Sequence, residues 1–339
     1  MKTHYCKTAL LLALMLIAGI SLGAQSLKKD VHKEFSATNS SELVIDNQFG
    51  NITITDWDQD KIVIDVNIEV TGSDQAKAQK IFDRITIVIK EESSKITAIT
   101  KLGEDGKLNI NNSKNEKLTF RIDYTVKCPK NIKLSLDNQF GDIIIGSHPG
   151  SINVDLQFGS LNAVDLTGTE TKIDIQFGKM NIGTLNEAEI DIQHCESLKI
   201  SDCGNLSLDA QFTHIELGTV GSLKTELDNS EVTIEAITDL LKMDMNMGNV
   251  KIEHVSAGFK SIVVEQNMGD LTIEIDPKAG YKLNAEVNMG SIKVPEGLKV
   301  VREKEKDIPG LSSETVTGTF GNGSSTIRIE SNMGSVKIK

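Results

Sequence analysis

The sequence predicts an all-β protein folded as a β-solenoid, and three observations carry that prediction. The segment Leu136–Ile145, LDNQFGDIII, recurs down the chain. From Phe140 to Met289 its copies follow one another in steps of 17 to 21 residues. Within each copy, apolar and polar residues alternate with the period of two that marks a strand. A near-constant short period means stacked units burying one continuous core. Each unit reads as a strand, a glycine bend, a second strand and a loop, giving a β-helix-like stack with about 18–21 residues per coil.

The bulky residue before the bend glycine marks each copy. Full copies carry Phe49-Gly50, Phe140-Gly141, Phe158-Gly159, Phe177-Gly178, Met247-Gly248, Met268-Gly269, Met289-Gly290 and Met333-Gly334. Degenerate copies place Cys195, Phe212 and Asn229 in the marker slot. In the Phe177 copy the alternation puts Ile173, Ile175 and Phe177 toward the core, with Asp174 and Gln176 outward. Gly178 then resets the parity, so that Met180 and Ile182 face in and Asn181 faces out. The markers are therefore expected inside. Early copies read Gln-Phe and later ones read Asn-Met. That joint switch fits contact between equivalent slots one strand spacing (about 4.8 Å) apart; recent duplication of two ancestral units is the other explanation.

In chain order, residues 1–24 read as a secretory signal peptide. Lys2 and Lys7 precede the apolar run Thr8 to Ile20, and small residues follow at Ser21 to Ala24. That run is too short to span a bilayer, and no later stretch is apolar enough. The expected location is outside the cytoplasm: periplasmic, outer-surface-associated or secreted. Residues 25–130 form a strand-rich first part of the solenoid with one short helix near 73–84, Ser73 as its N-cap and Ala76, Ile81 and Phe82 on its apolar face. Residues 131–294 form the regular coils. Residues 295–339 hold a projecting hairpin or loop and a terminal coil. That coil, closing at residues 335–339, is expected at the exposed end of the stack, with 295–325 folded against it.

Without Lys2 and Lys7, 34 basic residues face 48 acidic ones, a net charge of −14. An acidic surface repels phosphates and argues against nucleic acid as a partner. Cys128, Cys195 and Cys203 remain, an odd number whose pairing the sequence leaves open. His194 and His214 lie near Cys195, yet no C-x-x-C or H-x-x-x-H spacing appears, so neither a metal nor a cofactor is expected.

Three residues before the marker an acid recurs: Asp46, Asp137, Asp155, Asp174, Asp209, Glu226, Asp244, Glu265, Glu286 and Glu330, with Asp191 one place early in the Cys195 copy. Beside it runs an amide row of Gln48, Gln139, Gln157, Gln176, Gln211, Asn246, Asn267, Asn288 and Asn332. Stacked coils would hold the carboxylates about 4.8 Å apart, a repulsion of roughly 1 kcal/mol per pair in water. Solvent and nearby Lys172, Lys199, Lys242, Lys251 and Lys293 would relieve it; a row of divalent cations or a cationic partner would too. Asp137, Asp155, Asp174, Asp209, Asp244, Glu265 and Glu286 are the candidate binding residues on this ladder. Paired carboxylates could also serve a polysaccharide-processing enzyme. However, the acids repeat uniformly, Trp57 is the only tryptophan, and no G-x-S-x-G, H-E-x-x-H or P-loop is present.

The recurring N/D-x-x-G-[DNS]-[ILV]-x-[IV] pattern, the Asp56-Trp57-Asp58 step and the segment GNGSSTIRIESNMGSVKIK resemble the DUF4097 adhesin-like β-solenoid family and the related bacterial head-domain adhesin-like proteins. The resemblance spans residues 40–339. It implies a right-handed β-helix-like fold, an exported bacterial protein and no catalytic motif. The expected function is a non-enzymatic scaffold or adhesin-like interaction module of the cell envelope, binding a surface protein or glycan. A polysaccharide-processing β-helix enzyme, and a periplasmic sensor or structural partner of an envelope complex, are the alternatives.

Overall fold

The computed structural model describes residues 25–103, 118–296, 298–308 and 311–339. The expected signal peptide lies outside the described residues. The chain divides into two compact units.

The smaller unit comprises, among described residues, 25–29, 68–86, 101–103 and 118–121. Its helix is Gln75–Phe82. The N-cap is Asp74, not Ser73: the Asp74 carboxylate accepts from the amides of Ala76 at 2.9 Å and Lys77 at 3.1 Å. A carboxylate complements the helix dipole as well as its orphan amides, which a hydroxyl does not. Ala78 and Ile81 are the buried helix residues, while Ala76 is exposed. On a neighbouring strand Glu69 gathers Ser26, Lys28 and Arg121 at 2.6, 3.2 and 3.9 Å.

The larger unit, residues 30–67, 87–100 and 122–339, is the β-solenoid. Strands before each corner stack in parallel. Asp46 pairs with Asp137, Asp137 with Asp155, Asp155 with Asp174, Asp174 with Asp191, Asp191 with Asp209, Asp209 with Glu226, Glu226 with Asp244 and Asp244 with Glu265. Strands after each corner stack likewise, through Ile52, Ile143, Leu161, Met180, Leu198, Ile215, Val232, Val250 and Leu271. Inward positions on both sides of the corner are mostly Leu, Ile and Val, nearly all fully buried. Apolar burial at this density supplies the main stabilising term.

The coils do not stack in chain order at the far end. Ser325–Ile338 lies between two coils that precede it in sequence. On one side Met333 pairs with Met268 and Val336 with Leu271. On the other, Ser331 pairs with Val287 and Gly334 with Gly290. The terminal coil is therefore interior, contrary to its expected place at the end of the stack. The reason is the hairpin. Leu311–Phe320 runs antiparallel to Tyr281–Asn288, and Lys299–Ile308 runs antiparallel to Leu311–Phe320. An antiparallel strand on that outer edge closes it to a further parallel coil, so the returning chain enters on the inner side. Tyr281 stacks on Phe320 with ring centroids 5.4 Å apart, and Arg302 holds Glu314 at 2.6 Å.

Candidate interaction surface

The corners decide which side chains meet solvent, and they invert one expectation. Phe140, Phe158, Phe177 and Phe212 are 39% to 50% exposed, and Met247, Met289 and Met333 are exposed as well. The markers point outward. Strict alternation would put them inside, but the backbone turns through the left-handed region at the corner and breaks the parity there. It does so in two ways. Around Gly50, Gly141, Gly248, Gly269 and Gly334 the glycine itself has φ of +123° to +142°, a region that suits a residue lacking Cβ. At Phe177, His194, Phe212, Asn229 and Met289 the marker takes φ of +48° to +54° instead. The next residue then needs no special backbone, which is why Cys195, Thr213 and Ser230 can stand where other copies have glycine. All three turn inward and close the corner on the carbonyl two residues back: Cys195 to Gln193 at 3.3 Å, Thr213 to Gln211 at 3.0 Å and Ser230 to Asp228 at 3.0 Å.

His194 thus fills the marker slot that the sequence reading gave to Cys195. The shift restores Asp191 to the common acid position and adds Gln193 to the amide column, where Asp228 takes the place of an amide beside Gln211. Aligning that copy on its acid rather than on its last bulky residue would have found this.

Outside the corner the rings form a ladder. Phe49, Phe140, Phe158, Phe177, His194 and Phe212 stack in succession with centroids 4.9 to 5.3 Å apart and planes within 14° of parallel. Each inner ring has neighbours on both faces, so the ladder presents ring edges to solvent. Offset stacking of this kind adds about 0.5–1.5 kcal/mol per pair beyond burial.

Next to it runs the amide column. Gln139 donates to Gln157 at 3.2 Å. Asn288 donates to Asn332 (3.3 Å), Asn332 to Asn267 (2.7 Å), Asn267 to Asn246 (3.4 Å) and Asn246 to Asp228 (3.0 Å). This chain of amides follows the spatial coil order, with residue 332 between 267 and 288. One place beyond the bend glycine, Asn51 accepts from the Asp142 amide at 2.9 Å, Asp142 from Ser160 at 2.8 Å, Asn249 from Asp270 at 3.0 Å and Asp270 from Ser335 at 2.9 Å. The Asp/Asn preference after the glycine is thus a hydrogen-bond requirement between coils.

The acid column stands two places from the amides on the same face. Burial pushes the Asp137 carboxyl up to about 6, helped by Asp155 and Asp46. Burial, with Asp191 and Asp155, raises Asp174; burial, with Glu226 and Asp191, raises Asp209; burial alone raises Asp46. Three of the lysines expected to relieve the row pair elsewhere: Lys172 with Glu189, Lys199 with Glu216 and Lys251 with Glu253. Arg328 does reach Glu330. Asp191, Asp209, Glu226, Asp228 and Asp244 line a shallow depression of about 320 Å³.

A second cluster was not legible from spacing. Asp56, Cys128 and His148 are brought together inside the solenoid, their donor atoms all within 4.8 Å of one another. His148 Nδ1 lies 2.9 and 3.0 Å from the two Asp56 oxygens, its Nε2 lies 3.0 Å from the Ile132 carbonyl, and the Cys128 thiol points at Asp56 across 3.6 Å. Cys128, Cys195 and Cys203 are all buried and free.

No curated protein matches the sequence. Among solved structures, the chain is similar to a candidate lipid-binding protein from Parabacteroides distasonis (13% identity, 92% of this chain and 97% of that one, TM-score 0.40). It is also similar to candidate adhesins from Parabacteroides merdae (11% identity, 92% and 96%, TM-score 0.35) and Bacteroides fragilis (10% identity, 92% and 97%, TM-score 0.33). No helix among the described residues is long and apolar enough to cross a membrane. The Toastrack DUF4097 family matches residues 40–339, the repeat-bearing part of the chain, and the protein belongs to that family.

Proposed function

We propose that the protein is an exported, non-enzymatic interaction module of the bacterial cell envelope, and that the face bearing the acid, amide and ring columns is its binding surface. The observation that carries this reading is the regularity of that face. Acids, amides and ring edges repeat on successive coils at one strand spacing, which suits an extended partner better than a small substrate. Asp137, Asp155, Asp174, Asp209, Asp244, Glu265 and Glu286 provide its negative charge, so a cationic segment of an envelope or surface protein fits better than an anionic glycan. The ring faces are covered by their neighbours, which disfavours stacking of sugars on them. Uniform repetition of the acids also argues against a dedicated catalytic acid–base pair.

Protease accessibility on intact cells, followed by cross-linking of the exported protein in place, tests the reading. The expected result is a cross-linked envelope partner that is lost when Asp155, Asp174 and Asp209 are all changed to Asn, with the melting temperature held or raised. Retention of the partner by that variant would overturn the assignment of the face. Turnover of any glycan abolished by a single acid-to-amide change would overturn the non-enzymatic reading.

A further inference from the structure

We propose that Asp56, Cys128 and His148 form a buried transition-metal site of the zinc class, with three protein donors and one open position.

The argument starts from the column these residues occupy. Asp56 and Cys128 are partners on adjacent parallel strands, and His148 follows on the next coil. Continuing along the same inward column, His148 pairs with Leu166, Leu166 with Leu185, Leu185 with Cys203, Cys203 with Val220, Val220 with Ile237 and Ile237 with Val255. Every later position is a small or branched apolar side chain. Three ligand-type residues stand side by side in what is otherwise apolar core. Cys128 and His148 are fully buried, and the Asp56 side chain is only 7% exposed. Burying a carboxylate is expensive unless something positive compensates it.

The orientation of His148 points the same way. Its Nε2 faces the Ile132 carbonyl, so Nε2 carries the hydrogen and Nδ1 is the nitrogen turned toward Asp56 and Cys128. A ligating imidazole usually has this arrangement, with one nitrogen held by a carbonyl and the other directed at the metal. Gly150 leaves room for it, since a Cβ there would fall 2.6 Å from Nε2. The loop after Asp56 is also fixed. Trp57 donates from its indole to the Lys61 carbonyl at 2.8 Å, and Lys130 pairs with Asp58 at 2.7 Å.

Sulfur, imidazole and carboxylate together suit Zn²⁺ and its neighbours rather than calcium or magnesium. Zinc with ligands at about 2.0–2.3 Å places its donors roughly 3.2–3.8 Å apart. Asp56 lies 2.9 and 3.0 Å from His148 Nδ1 and 3.6 Å from the Cys128 sulfur, close to that range, and all three donors fall within 4.8 Å of one another, so side-chain adjustment can close the set on a metal. The charges also balance. A thiolate and a carboxylate neutralise one divalent cation beside a neutral imidazole. Binding displaces the Cys128 thiol proton, since only the thiolate ligates.

Cobalt is the probe, because a thiolate ligand gives a sulfur-to-cobalt charge-transfer band. The full chain, stripped with chelator and titrated with Co²⁺, should show that band at one equivalent, and Zn²⁺ should displace the cobalt with a rise in melting temperature. Two further chains keep the outcome readable. In the first, Cys6→Ser, Cys195→Ser and Cys203→Val leave Cys128 as the only thiol; Ser230 and Val220 already occupy positions equivalent to the last two. The band should persist there. In the second, Cys128→Ser on the otherwise natural chain should lose it, with Zn²⁺ affinity down by more than about 100-fold. Absence of the band in the natural chain, or its loss when Cys128 is the sole thiol, would overturn the site. Neither result bears on the outer face.

Discussion

Phe158 shows how one residue's setting changes what its substitution should do. Its ring lies between Phe140 and Phe177, with centroids 5.1 and 5.2 Å away, yet 42% of it is exposed. Phe158→Ala removes two stacking contacts without opening an internal cavity, so the loss should be about 1–3 kcal/mol, far below that of a core phenylalanine. Denaturant titration checks the figure. Gly269 is the opposite case. A Cβ there would sit 1.6 Å from the Gly248 carbonyl oxygen at φ +134°. Gly269→Ala should therefore cost about 3 kcal/mol or more, while Gly258→Ala, with nothing within 4 Å, should be near neutral by the same measurement. Asp137 brings a pH dependence. Folded, it keeps its proton to about pH 6; unfolded, it loses it near 3.8. Between those values the folded state binds more protons, so its contribution to stability is greatest at the acid side and is lost as pH rises through about 6. Asp137→Asn should raise the melting temperature at pH 7 and give little gain at pH 4. A larger gain at pH 4 than at pH 7 would contradict the assignment.

At the scale of the element, the hairpin Lys299–Phe320 is what covers the strand Tyr281–Asn288. Its outermost strand carries Arg302, Glu303 and Lys304 on an edge that charge makes a poor template for further pairing. Replacing 297–323 by a short Gly/Ser linker should bare residues 281–288, and size-exclusion chromatography should then show a shift to larger species or aggregate relative to the parent. The period, the strand–bend–strand unit and the acid row were legible because each depends on local alternation. The direction of the markers was not, since φ at the corner is set by whether Gly, or Phe177 and its equivalents, takes the left-handed turn. The cluster of Asp56, Cys128 and His148 was hidden for another reason: those residues are brought together by stacking, and their spacing of 72 and 92 residues follows no ligand pattern.

Over the whole molecule, charge and coil order are the features that no single repeat reveals. The chain carries a net charge of −12, and along one column the acids have other acids as neighbours and repel one another. Salt should weaken that repulsion. The melting temperature should rise with sodium chloride, and calcium at matched ionic strength should add little; a large calcium-specific rise would instead indicate ordered ions on the row. Family membership and the solenoid were open to sequence reading because they rest on recurrence. The interior place of residues 325–339 was not, because nothing in a repeat states which copy will be its neighbour.

That interior place sets a schedule for biogenesis. A solenoid whose coils stack in chain order can mature behind the ribosome or the export channel, each coil settling on the one before it. Here residues 281–293 have no lasting inner neighbour until residues 325–339 have emerged and slipped between them and the coil of 261–275. Chains stalled or clipped anywhere in that interval would carry a gap one coil wide, open on both sides and shaped for a strand, which a quality-control protease or a chaperone could recognise.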